Sequence, residues 1–251
     1  MNRIMVLLLI SLLTTWASEL PHTNTSFSKA KKLMKKVYVD HQVTFYCGCD
    51  YSYIQVKGKE TSLVNPASCG YKPRTPVTKK GKQNIRTTRI EWEHVIPAEN
   101  FGRQFACWRD GATACVKKDG KPYKGRKCCE KVDRKFAIMQ ADMHNLRPAI
   151  GELNGDRSNF RYGMITGEPR AYGRCDFEVD LKERRVEPKE DIRGDIARTY
   201  WYFEKEYGMK ISDHDRKLLQ AWEKSDPADQ WERERNKRIG KIQGGVNSFI
   251  E

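Results

Sequence analysis

Eight cysteines follow an apolar N-terminal run, and that combination constrains the chain more than any other feature. The run Ile4-Met5-Val6-Leu7-Leu8-Leu9-Ile10 comes after a single cation, Arg3, and before small residues at Thr15 and Ala17. It is too short to span a bilayer comfortably and has the flanks of a secretory signal peptide, so residues 1–17 are read as a leader cleaved after Ala17. No later segment is apolar enough to cross a membrane. Export into an oxidising compartment makes an even cysteine count read as disulfides. The spacings agree: Cys47-Gly48-Cys49 is C-x-C, Cys128-Cys129 is vicinal, and neither is the C-x-x-C of a zinc ribbon or finger. Which cysteine pairs with which stays open.

Residues 18–251 are long enough for one large or two small domains. No linker, low-complexity tract or internal repeat divides them, so one domain is expected. Hydrophobic content of 38% makes for a lean core, which covalent staples would support.

Periodicity assigns the elements. Ser28 to Lys36 reads as a short amphipathic helix with a lysine-rich face, and Val43 to Cys49 reads as a strand. Ser62 to Thr88 is turn-rich, and Thr87 to Val95 alternates like a strand that Pro97 ends. Gly102 to Glu130 reads as a cross-linked loop. Pro148 suits a helix's first turn, giving a helix that stops near Gly155. The C-terminal third is helical: Ile196, Tyr200, Phe203 and Tyr207 form a stripe ended by Gly208. Ser212 and Asp215 form a capping box, and a last helix after Pro227 closes at Gly244-Gly245. The fold class is therefore α+β, mostly helical, with a small β-sheet.

A net charge of +14 calls for a polyanion partner (nucleic acid, anionic lipid or glycan) unless it serves solubility alone. Chemistry must be added to charge. Glu91-Trp92-Glu93-His94-Val95-Ile96-Pro97 sets a carboxylate beside an imidazole, a hard oxygen ligand next to the commonest general base. Alone, such a pair is more often a structural ion pair. If both serve one site, the strand must end or bulge there, because successive strand side chains point to opposite faces. Asn154, in Gly151-Glu152-Leu153-Asn154-Gly155-Asp156-Arg157, reads either as a cap or as a carbonyl ligand.

Together with Phe45-Tyr46-Cys47-Gly48-Cys49, Cys107-Trp108, Asp142-Met143-His144-Asn145-Leu146 and Ile196-Ala197-Arg198-Thr199-Tyr200, these stretches resemble the bacterial endonuclease I family of periplasmic and secreted nucleases. The likeness runs from about Val43 to Gly244. It implies a ββα-metal (His-Me finger) site in which His94 is the general base. Glu93 and Asn154 would hold one magnesium ion, with calcium or manganese as ions that could replace it. It further implies sequence-non-specific hydrolysis of DNA, with RNA as a second candidate substrate, to 5′-phosphate and 3′-hydroxyl ends. The enzyme would be an exported monomer that contacts the phosphate backbone and no membrane. The family's phosphate-contacting arginine, expected between Cys107 and Cys115, has no counterpart near Ala112 or Thr113, so Arg103, Arg109 and Arg157 are the phosphate candidates. The basic insert Lys117 to Lys127 is a further backbone-binding element. The competing reading is a basic nucleic-acid-binding or DNA-uptake protein on the same fold without catalysis, against which the retention of His94, Glu93 and Asn154 speaks. Another is a cysteine-rich glycan- or protein-binding module, which leaves that match unexplained.

Overall fold

The computed structural model describes residues 20–167 and 169–251, so the expected leader at 1–17 lies outside the described residues. The first helix, α1 (Phe27–Val37), forms where the pattern expects it: the Ser26 hydroxyl accepts from the Lys29 amide at 3.2 Å, and Ala30, Met34 and Val37 are buried. The long C-terminal helices are α8 (Arg193–Tyr207), α9 (Asp213–Ser225) and α10 (Gln230–Gln243). Gly208 and Gly244 end α8 and α10 in the left-handed conformation, and Ser212 caps α9 through the Asp215 amide at 3.2 Å.

The strand assignments need correction. Val43 to Cys49 is not a strand. It forms a tight turn in which the Thr44 amide donates to the Cys49 carbonyl at 2.8 Å and the Cys49 amide donates to the Thr44 hydroxyl at 2.9 Å, with Gly48 at φ +66°. Disulfides Cys47–Cys175 and Cys49–Cys69, the second reaching the short helix α2 (Pro66–Cys69), anchor this turn, so cross-linking overrides local β propensity. The hairpin comes next instead, β1 (Tyr51–Val56) and β2 (Lys59–Val64), turning on Lys57 and Gly58, both at positive φ. The stretch Gly102 to Glu130 is only partly loop. It contains α4 (Ala106–Arg109) and the start of α5 (Arg126–Val132), stapled by Cys107–Cys129 and Cys115–Cys128.

Pro148 does not begin a helix. It lies within β4 (Leu146–Ile150), which pairs antiparallel with β3 (Ile90–His94), Trp92 opposite Pro148. The Pro148 carbonyl faces away from β3 and accepts from the Phe45 amide at 2.7 Å. In an antiparallel strand a residue's N–H points to the same side as its carbonyl, so the missing donor costs no ladder bond. The helix α7 (Gly151–Arg157) follows β4 without a linker, giving the order β3, β4, α7. Between β3 and β4 the chain makes one long excursion through α3 (Ala98–Gly102), α4, α5 and α6 (Arg134–Ala141). A third sheet joins β5 (Arg161–Tyr162), β7 (Arg185–Pro188) and β6 (Phe177–Asp180) in that order.

Three apolar clusters hold these pieces. Val95, Leu153 and Ile196 join the end of β3, α7 and α8, and Phe101, Phe136 and Phe203 join α3, α6 and α8. Met34, Leu146 and Ile239 join α1, β4 and α10. Phe136 and Phe203 are fully buried, each contributing roughly 1.5–3 kcal/mol. The β3–β4–α7 unit therefore contributes to the first and third clusters, and Ile96, two residues past β3, belongs to the second. No helix among the described residues is long and apolar enough to cross a membrane.

Candidate active site

Strand β3 ends at His94, as joint use of Glu93 and His94 requires, and the chain bends at Val95 and Ile96. Side chains hold that end. Asn145 accepts from the Ile96 amide at 2.7 Å and donates to the Ile96 carbonyl at 3.0 Å, while Arg157 donates to the carbonyls of His94 and Val95. Glu93, His94, Asn154 and Arg157 all line one cavity of about 760 Å³.

His94 is held on both sides. Its Nε2 lies 2.8 Å from the Gln140 carbonyl, and its ring packs on Phe27 with centroids 4.6 Å apart. A carbonyl can only accept, so Nε2 carries the proton and Nδ1 the lone pair. Burial, with Arg126 adding positive charge, pushes the imidazole pKa down to about 3 against the opposing pull of the Gln140 carbonyl. The ring is therefore neutral at physiological pH, with Nδ1 as its unprotonated nitrogen.

Glu93 is 3% exposed. Its Oε1 accepts from the Tyr46 hydroxyl at 2.9 Å and faces Arg157 Nη1 at 3.4 Å. Burial pushes its pKa up to about 7, against the opposing pulls of Arg157 and Tyr46. Asn154 lies inside α7 rather than at a cap, and its Nδ2 donates to Glu91 Oε2 at 2.9 Å. With the amide nitrogen committed to a carboxylate, Oδ1 is turned the other way. Glu91 is itself gripped by Arg86 at 2.6 Å. Gly151 and Gly155, four residues apart, clear the helix face for that pair: a Cβ on Gly151 would stand 3.0 Å from Glu91 Oε1, and one on Gly155 2.3 Å from Arg86 Nη1.

One carboxylate and one amide oxygen suit a hard divalent cation that keeps most of its water. No group of three or more His, Cys, Asp or Glu side chains able to hold a metal occurs among the described residues, so any metal here relies on a sparse, mixed set of donors.

The arginines divide. Arg157 is buried against β3, with its guanidinium 4.8 Å from the Tyr162 ring. Arg103 is exposed and paired with Glu99, Arg109 donates to the Arg103 carbonyl at 2.7 Å, and neither lines the cavity that holds Glu93 and His94. Lys31, Lys35, Arg89 and Arg126 line it together with Arg157; the Arg126 guanidinium sits over Phe27 at 5.1 Å, and its Nε donates to Gln140 Oε1 at 3.1 Å. Because Cys107 pairs with Cys129, the loop that Cys107 bounds extends past Cys115 and includes Arg126. The span from Cys107 to Cys115 leaves it out, and a Gly-Arg-Lys ahead of the paired cysteines is the signal that could have found it. Tyr46 and Glu91 lie inside the family-like motifs, yet the motifs alone give them no role. Phe27 and the Gln140 carbonyl have no sequence signature.

The sequence model of the family described as Endonuclease I matches residues 23–251. An extracellular deoxyribonuclease of Aeromonas hydrophila is 49% identical over 227 residues, covering 90% of this chain and 88% of that protein. A periplasmic deoxyribonuclease of the same organism is 47% identical over 227 residues, covering 90% and 85%. An Endonuclease-1 of Buchnera aphidicola (subspecies Acyrthosiphon pisum) is 43% identical over 228 residues, covering 91% and 81%. Four disulfides with no free cysteine fit the oxidising, exported setting that two of these names carry. Likeness that spans nearly the whole chain, together with the family match, means that this protein is a nuclease belonging to the Endonuclease I family.

Proposed function

We propose that this protein is an exported, sequence-indifferent endonuclease that hydrolyses DNA phosphodiester bonds to 5′-phosphate and 3′-hydroxyl ends, with His94 as general base. The observation that carries the reading is the fixed tautomer of His94: Nε2–H is spent on Gln140, and Nδ1 is left as a lone pair for the chemistry. Proton removal from an attacking water needs such a group at the operating pH. Glu93 and Asn154 would hold a single divalent cation, magnesium by the hardness of the donors, and Glu91 keeps Asn154 turned toward it. When bound, that ion supplies positive charge for a non-bridging phosphate oxygen and for the departing O3′. Arg126 lies on the cavity wall where it can meet a phosphate, and Arg157 acts through the backbone, fixing the carbonyls of His94 and Val95. The formal charge of +14 supports backbone binding without base reading. Such contacts do not read the sugar, so RNA is a second substrate on this reading. The leader at 1–17, with 18–251 as the mature monomer, belongs to the same proposal.

The test is plasmid nicking with magnesium and again with a chelator, for the wild type and His94→Ala. Nicking should require the metal. The variant should lose roughly 10²–10⁴-fold in single-turnover rate while its DNA affinity holds. Near-normal turnover by His94→Ala on bound DNA would remove His94 as the base.

A further inference from the structure

We infer that a second cleft, beyond Glu99 and Asn159, is a phosphate track that carries the nucleic-acid strand past the scissile bond. The inference rests on the nuclease reading above and extends it to a separate site. The cleft has a volume of about 690 Å³, and Glu99 and Asn159 line both it and the catalytic cavity. The backbone makes the same connection. The chain leaves α7, which carries Asn154 and Arg157, turns at Ser158 (φ +52°), and enters the second cleft at Phe160 and Arg161. A polynucleotide with one phosphate in the catalytic cavity must continue past it, and this is the surface it would meet beyond the shared rim.

The lining has the chemistry for phosphates. Arg103, Arg161, Arg184, Arg185 and Lys210 are its cations. Arg103 is neutralised by Glu99. Arg184 and Arg185 keep their charge, because they donate to neutral acceptors, Asn159 Oδ1 at 2.7 Å and the Met164 carbonyl at 3.3 Å. Among the described residues, Arg161 and Lys210 form no ion pair, and both are exposed. Against these four cations stand the carboxylates of Glu183 and Asp215, so positive charge is in surplus. The Arg184 guanidinium also lies over the Phe160 ring at 5.1 Å, offering a flat cationic face beside an aromatic one. Cations interleaved with an aromatic are what a strand's phosphates and bases select.

The experiment is fluorescence anisotropy with a labelled duplex in a chelator across a salt series, which needs no catalysis. Arg161→Gln with Lys210→Gln should weaken binding roughly ten-fold and lower the slope of log affinity against log salt by about 1 for each phosphate no longer neutralised. The reversal pair Arg161→Glu with Lys210→Glu should go further. The control pair Lys237→Gln with Lys241→Gln, on exposed positions of α10, should leave both quantities unchanged. Thermal melts check that each variant is folded. If the cleft variants behave like the control pair, or if wild-type duplex binding lacks a salt slope, the track is overturned. Failure of the nuclease reading would show instead as absent metal-dependent nicking by the wild type.

Discussion

The Phe27 ring packs against both His94 and Arg126, with its centroid 4.6 Å from that of His94 and 5.1 Å from the Arg126 guanidinium. One side chain from α1 thus contacts both the imidazole and the guanidinium. Phe27→Ala should lower kcat roughly ten- to hundred-fold, since small misplacements of reacting groups cost about that much. Phe27→Leu, which keeps bulk but loses the cation–π contact, should fall between. Steady-state kinetics on duplex DNA decide the point: a change in KM alone would make Phe27 a substrate contact and not a positioning residue.

Glu91 should matter without touching substrate. Glu91→Ala frees the Asn154 amide to rotate and leaves Arg86 unpaired, so metal affinity should drop about 10–100-fold. Glu91→Gln, which retains an acceptor, should recover part of it. Titration calorimetry with magnesium reads the effect, and DNA affinity in a chelator should stay constant. Unaltered metal affinity in Glu91→Ala would free Asn154 from any dependence on Glu91.

Removing the staple Cys107–Cys129 should disturb both stability and substrate contact. Arg126 stands two residues before Cys128 and three before Cys129, at the start of α5. The double variant Cys107→Ala with Cys129→Ala should lose about 2–5 kcal/mol in unfolding free energy, read from denaturant melts. Its KM for DNA should rise as Arg126 loosens. An unchanged melt would mean that Cys115–Cys128 alone braces the loop.

Acid should unfold the protein partly through Asp142. This carboxylate is fully buried, which by itself would raise its pKa, but His22, His144 and Tyr207 outweigh burial and hold it below the usual carboxylate range. A depressed folded pKa stabilises the protein above the unfolded value of about 3.9, and that contribution is lost as pH falls through and below it. Asp142→Asn should cost roughly 1.5–3 kcal/mol at neutral pH and flatten the acid side of the stability curve. Melting temperatures measured from about pH 6 down to about pH 2 (about one point per unit) test this; a parallel downward shift with the slope intact would assign the acid sensitivity to another group.

Local sequence determined α1, α8, α9 and α10. Their caps and stripes arise from residues three or four positions apart, so Ser26, Ser212, Gly208 and Gly244 act whatever surrounds them. Residue chemistry singled out Glu93, His94 and Asn154 as candidates, and the family resemblance suggested their roles as base and metal ligands. Tertiary structure decided the rest. Pro148 reads as a helix start until the Phe45 amide is seen to meet its carbonyl from another segment. That Arg126 lines the cavity while Arg103 and Arg109 do not was set by disulfide pairing, which depends on which Cα atoms approach, and spacing does not record that. The tautomer of His94 hangs on a carbonyl 46 positions away, and every residue carries a carbonyl. Partners distant in sequence leave no local pattern, so the chain announces which groups could do chemistry and only the fold determines which of them meet.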